Sequence, residues 1–460
     1  MGKNKYLYIT LLAVLGFQQE AVAQIVASTP RLVVNITIDQ LRSDYMETFV
    51  PFYTNDGFKR LLSQGRVYAH ASYNFAPVDR ASAMASIATG TTPYYHGITG
   101  EEWFDRQALK TIKCITTDKQ EFSPMHLLTT TVGDEMRQTT NGVALVYAIA
   151  PTADLAILSA GHAANGALWA NQNRWNNVSF YSPIPQWQTD YTSRYAVEPD
   201  VNKSITDLAI GCIEQSGIGT DETPDLLNIT YKQETDPKES YINIDKQLSR
   251  LVSRIEGRVG HGKVLFVLTG TGYAMESETQ GEEEKYHIPT GKFNIQRTAN
   301  LLNMYLGAVY KPAKYVETCY KNQLYLNRQL IERMNIPQSD LLKRAQEFLI
   351  QVEGVRNVYT STQLLTSESE RLEKIRNAYN LDKCGDLIIE VAPGWKLINE
   401  ETHQSTTQRV NFVSFPIIFY GANVVRERIV MPVTVDRIAP TIAKSIRIRA
   451  PNGCASEPLF

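Results

Sequence analysis

Histidine is scarce in this chain, with seven in 460 residues. A zinc enzyme built on three imidazoles would use nearly half of them, at fixed places. Cysteine is equally sparse. The five, Cys114, Cys212, Cys319, Cys384 and Cys454, are scattered and odd in number, and none has CxxC or zinc-knuckle spacing. A disulfide scaffold and a structural zinc module are therefore excluded, and buried or singly paired structural cysteines are expected. There is no excess of either charge, since the formal net charge is −2. An electrostatic nucleic-acid binder would show a strong basic surplus. No repeat or low-complexity tract is visible. After the N-terminus, no apolar run is long enough to span a bilayer.

The chain instead has 43% hydrophobic and 20% charged residues, the composition of an ordinary globular protein with a large core. Its N-terminus has the pattern of an export signal. Lys3 and Lys5 precede an apolar stretch, Tyr6 to Phe17, and Ala21-Val22-Ala23 has the small-x-small form of a cleavage site. Residues 1–23 are expected to be removed, with a mature start near Gln24 in the periplasm or cell envelope of a bacterium. The mature chain would not be an integral membrane protein.

Arg31 to Ile38 is an apolar, β-branched run ending at Asp39, and predicts a buried strand. A helix is expected at 56–64 and another at 81–89. Strands are expected at Val143–Ile149, Leu155–Leu158, Asp225–Tyr231 and Val264–Thr269, with an amphipathic helix at Ile242–Ile255. This alternation implies an α/β fold, a mainly parallel central sheet with helices on both faces. The acidic stretch Glu276–Glu284 reads as an exposed loop. Residues 296–350 are helix-rich, a strand follows at Val355–Thr360, and the core sheet is expected to return at Leu387–Val391 and Pro416–Tyr420. The expected organisation is a core of residues 24–284 and 386–460, interrupted by a helix-rich α+β subdomain at 285–385.

In parallel α/β sheets ligands gather at the carboxyl ends of strands. The segments there, and others in order along the chain, carry a family resemblance: ITIDQLRSDY (36–45), DGFKRLLSQG (56–65), ATGTTPYYHGITGEEWFD (88–105), ILSAGHAANGALW (157–169), GKFNIQRTANLLNMYLGAVY (291–310), YLNRQLIE (325–332), GDLIIEVAPGW (385–395), FPIIFYGA (415–422) and VDRIAPTIAKSIRIRAPNGC (435–454). Together they resemble the alkaline phosphatase superfamily, in its branch of secreted bacterial phosphomonoesterases and type I phosphodiesterases. The resemblance implies two zinc ions held by three Asp and three His, with a threonine or serine alkoxide attacking phosphorus between them.

Carried over position by position, that machinery is mostly missing. Asp39 matches the first ligand. The nucleophile position, ten residues before the glycine of the TG turn, falls on Arg80, which cannot be deprotonated for attack. Ser82 and Ser86 are near but displaced along the helix. Glu101, followed by Glu102, stands where the family has a phosphate-holding asparagine. Thr152 and Asp154 replace the lysine and arginine of the phosphate clamp. Thr235, or Asp236 with a one-residue slip, occupies the next Asp ligand position, with no histidine after it. Thr271 and Gly272 stand at the Asp and His of the following pair, and Ser414 at the last His. His96 and His162 fall on family positions that are not zinc ligands.

The resemblance thus implies a degenerate member that binds a protein or small-molecule partner without a cofactor. The alternative is a phosphomonoesterase- or phosphodiesterase-type hydrolase with an altered nucleophile or metal site, retaining zinc. A pocket of Asp39, Asp79, Arg80, Ser82, Glu101, Glu102 and Asp154 is the candidate site. It could hold either a salt bridge between Arg80 and the carboxylates or one oxygen-ligated cation such as calcium or magnesium. The sequons at Asn35, Asn177 and Asn228 are chance-level patterns, and Asn35 lies inside a strand. The aromatic stretch 169–187 reads as a structural rim.

Overall fold

A computed structural model describes residues 28–273, 290–366, 369–399, 404–407 and 413–460. The export signal, the acidic stretch at 276–284, His287 and His403 lie outside these residues.

Leu32–Ile38 is buried at every position, as expected of a strand covered on both faces. It pairs in parallel with Asp225–Tyr231 on one side and Val264–Gly270 on the other. The sheet continues outward through Val146–Ala150 and Gly166–Asn171, also parallel. On the other flank Phe415–Gly421 enters antiparallel, followed by Arg66–Ser72 and the short edge strand Glu427–Ile429. With Arg174–Asn177 and Val433–Thr434, this makes a ten-stranded, mainly parallel sheet. The helices Arg80–Thr89, Ala153–Ala160 and Ile438–Ser445 pack together, and Val201–Gln215 packs against Pro237–Val259. Asn35 and Asn228 explain their sequons structurally. Asn35 Nδ2 donates to Asn228 Oδ1 at 3.1 Å, tying two strands, and Asn228 Nδ2 to the Ser159 carbonyl at 3.0 Å, tying strand to helix, so both are buried struts.

Two expectations need correction. Leu155–Leu158 is no strand. It lies within the helix Ala153–Ala160, which runs into Gly161 at φ 78°. Nearly the whole segment is buried, so it carries no periodicity to separate helix from strand. Leu387–Val391 does not return to the core sheet. It pairs antiparallel with Gln323–Leu326 and Val355–Thr360 in a separate four-stranded sheet, completed by Val316–Tyr320. A separate three-stranded sheet joins Gly291–Asn294 in parallel to Trp395–Asn399, which pairs antiparallel with Gln404–Thr407. The inserted body therefore extends past residue 385, and the central sheet resumes at Phe415. It has its own hydrophobic core, built on residues such as Leu302, Leu324, Leu342 and Ile389. All five cysteines are free thiols, four of them buried.

His162 is held by acceptors on both ring nitrogens: Asp134 Oδ2 at 3.0 Å from Nδ1 and the Leu127 carbonyl at 2.9 Å from Nε2. Oxygen acceptors at both nitrogens favour the doubly protonated, imidazolium form. The Asp134 hydrogen bond raises its pKa. Burial pushes Asp134 up, but His162 and backbone N–H groups more than offset this and hold it low. Because the folded pKa of His162 lies above the unfolded value of about 6.5, its stabilising contribution is complete below that pH and is lost as pH rises through the folded value. The melting-temperature gap between the native chain and His162→Ala is expected to narrow as pH rises. A gap independent of pH would contradict this assignment.

Candidate functional site

Asp39 sits where the first central strand ends, buried, with its N–H on the Tyr231 carbonyl at 2.9 Å. The chain turns sharply there, with Gln40 at φ 61°. Thr271, fully buried at the end of the neighbouring strand, donates its hydroxyl to Asp39 Oδ1 at 2.8 Å and accepts the Gln40 N–H at 3.0 Å. Burial raises the Asp39 pKa, opposed by the Thr271 hydrogen bond and the Arg80 charge. The threonine at a family ligand position is thus a hydrogen-bond partner of the one ligand-type residue retained there.

Gly272 follows in the left-handed region at φ 62°. A Cβ on it would lie 2.6 Å from a Phe415 ring atom and 2.7 Å from a Tyr73 ring atom. There is no room for an imidazole. Ser414 faces elsewhere, its Oγ 3.2 Å from His70 Nδ1 and its carbonyl accepting the Ser43 N–H.

Arg80 opens the helix Arg80–Thr89. Its Nε lies 3.1 Å from Asp154 Oδ2 and its Nη2 3.0 Å from Glu101 Oε1. Asp79 caps the same helix, accepting the Ala81 N–H at 2.9 Å. Burial raises the Asp79 carboxyl, against the positive field of Lys321. Burial also raises Glu101, against the charge of Arg80. Ser82 is fully buried, its hydroxyl engaged with both the N–H and the carbonyl of Asp79. Ser86 is tied to buried His96 at 3.0 Å. Both hydroxyls are buried away from solvent, and because His96 Nδ1 accepts the Ile98 N–H at 3.1 Å, its Nε2–H donates to Ser86 and does not take the serine proton. Burial pushes His96 down to about 3, so it is neutral.

Glu102 turns to the inserted body and accepts the Tyr320 hydroxyl at 2.7 Å. Thr152 precedes the helix that carries Asp154, and its buried hydroxyl has no partner among the described residues. Asp236 and Thr235 are exposed, and Asp236 caps the helix Pro237–Val259 through the Glu239 N–H at 3.1 Å. The structure therefore brings together Asp39, Asp79, Arg80, Glu101 and Asp154, with Thr271 beneath them. It leaves Asp236, Thr235 and Ser414 in other roles. Sequence reading missed Tyr273, whose hydroxyl is raised by burial and by Asp79 and Glu101. It also missed Tyr320 and Lys321, which come from a hairpin of the insertion more than 200 residues away, and no local signal announces them.

Among the described residues no three His, Cys, Asp or Glu side chains form a group that could hold a metal ion. The donor set does not fit a zinc pair. Asp39 is hydrogen-bonded by Thr271, a guanidinium stands at the nucleophile position, and Gly272 has no space for a ligand.

Fold and strand-end site define an alkaline-phosphatase-like α/β protein. The chain belongs to the type I phosphodiesterase / nucleotide pyrophosphatase family, whose profile matches residues 33–414. It is similar to alkaline phosphatase PafA of Elizabethkingia meningoseptica, 22% identical over 94% of each chain. Alkaline phosphatase PhoV of Synechococcus elongatus is 23% identical, covering 92% of this chain and 91% of its own. The crystal structure of PafA superposes with a TM-score of 0.80 at 21% identity, over 94% of this chain and 98% of that one. Murine ectonucleotide pyrophosphatase / phosphodiesterase 5 gives a TM-score of 0.55 at 11% identity, over 91% and 95%. At these identities the structural likeness shows the fold.

Proposed function

We propose that this chain is an exported member of its family that has lost dizinc phosphoester hydrolysis and acts by binding a protein or small-molecule partner. One observation carries the reading: Arg80 occupies the nucleophile position and is ion-paired there to Glu101 and Asp154. A guanidinium does not form an alkoxide equivalent at neutral pH. The carboxylates around it also disfavour a phosphate dianion by like-charge repulsion. No helix among the described residues is long and apolar enough to cross a membrane. Export rests on the Lys3-to-Ala23 pattern, and N-terminal sequencing of the mature form should begin near Gln24. The activity claim is tested with purified protein, a nitrophenyl phosphate monoester and the matching diester, with and without zinc. No turnover above the uncatalysed rate is expected. Zinc-dependent turnover abolished by Asp39→Ala would overturn the reading.

The second reading, a hydrolase with an altered nucleophile, would place the chemistry outside the Asp39–Arg80 site, at the exposed Ser414, whose Oγ lies 3.2 Å from His70 Nδ1. That reading requires turnover that disappears in Ser414→Ala.

A further inference from the structure

Four carboxylates converge at the strand ends. Burial raises Asp39, Asp79 and Glu101, and each also feels the negative charge of Asp154. The family resemblance implies a zinc pair at such a concentration of negative charge. Here the direct contacts are made by one side chain. The guanidinium of Arg80 reaches Asp154 with Nε and Glu101 with Nη2, carboxylates presented by two different segments. A cation at the first turn of a helix is unfavourable by itself, because the positive end of the helix dipole lies there. Its position is intelligible only through the acids around it.

We propose that Arg80 is the resident cation of this site, a tethered guanidinium that holds the Glu101 and Asp154 carboxylates of two segments together where a bound metal would otherwise be needed. This rests on the reading that the chain is not a dizinc hydrolase. A guanidinium keeps its charge at all physiological pH values and can engage two carboxylates at once in fixed geometry. Being part of the chain, it loses no translational freedom on binding, so the pocket assembles independently of cation supply. Lys321 adds positive field from the inserted body, acting more strongly than Arg80 at Asp79 and less strongly at Glu101.

The test is thermal melting of the full mature chain with EDTA, with calcium and with manganese. The native melting temperature is expected to be the same in all three. Arg80→Gln should melt lower by about 3 °C or more, and calcium or manganese should recover part of that loss. The double variant Arg80→Gln/Asp154→Asn, with less charge to balance, should recover stability without added cation. A native protein destabilised by EDTA would overturn the proposal, as would an Arg80→Gln protein as stable as native and indifferent to cations. If Arg80→Gln fails to fold, the double variant decides: folding supports the proposal, and failure to fold defeats it. Turnover is scored separately. Hydrolysis by a native protein with this melting pattern would sink the functional reading and leave the cation assignment standing. Absence of turnover with a cation-indifferent variant would do the reverse.

Discussion

Gly272→His is expected to destabilise the protein by about 3 kcal/mol, combining the cost of a side chain at positive φ with overpacking. It should not create a metal ligand. The backbone stands at φ 62°, and the first side-chain atom would meet Phe415 and Tyr73 at 2.6 and 2.7 Å. Both rings are buried, and they pack against each other with centroids 5.7 Å apart. An imidazole could be admitted only by moving this pair, which also lines the end of the central sheet. Denaturant unfolding of Gly272→Ala and Gly272→His measures the effect. The alanine variant isolates the Cβ and backbone cost, and histidine adds the ring. A histidine variant as stable as native, or one with new zinc affinity, would show that the turn is more accommodating than its geometry states.

Asp386→Ala is expected to cost about 3 kcal/mol or more, toward the lower end for a buried charge network because one arginine is partly solvated. The carboxylate is fully buried. Oδ2 accepts from Arg106 Nη2 at 2.9 Å and from the Leu326 N–H at 2.8 Å. Oδ1 accepts from Arg328 Nε at 3.0 Å and Nη2 at 2.7 Å. Arg106 follows the core hairpin strand Glu102–Asp105, whereas Leu326 and Arg328 belong to the inserted body. One carboxylate therefore joins the two bodies, on the same hairpin whose Glu102 accepts the Tyr320 hydroxyl. Removing it leaves two guanidinium groups without their counter-charge. Urea denaturation followed by probes in each body should show both losing stability, with the insertion loosening first. A loss below about 1 kcal/mol would contradict the role assigned to Asp386.

Much of the fold was legible because its strongest signals are local. The run Leu32–Ile38 reads as a covered strand because it is rich in β-branched residues, and the order of motifs carried the superfamily architecture. Local signal failed where burial is complete or pairing is distant. Leu155–Leu158 is apolar all round, so strand and helix look alike. Leu387–Val391 is a strand by composition, but composition does not say which sheet it joins. The candidate site divides the same way. Positions such as Arg80, Glu101, Asp154 and Gly272 could be named from the family resemblance. Their contacts could not. Thr271 reads in sequence as a vanished ligand, and only the parallel register of Leu32–Ile38 with Val264–Gly270 brings its hydroxyl to Asp39. Arg80 and Asp154 are 74 residues apart and meet because their helices pack together.

The most direct measurement of the central claim is the zinc stoichiometry of the native chain after equilibrium dialysis against micromolar zinc, read by elemental analysis. The account predicts no tightly bound zinc, with the same result for Asp39→Ala. Two equivalents of zinc per chain, lost on replacing Asp39, would contradict it.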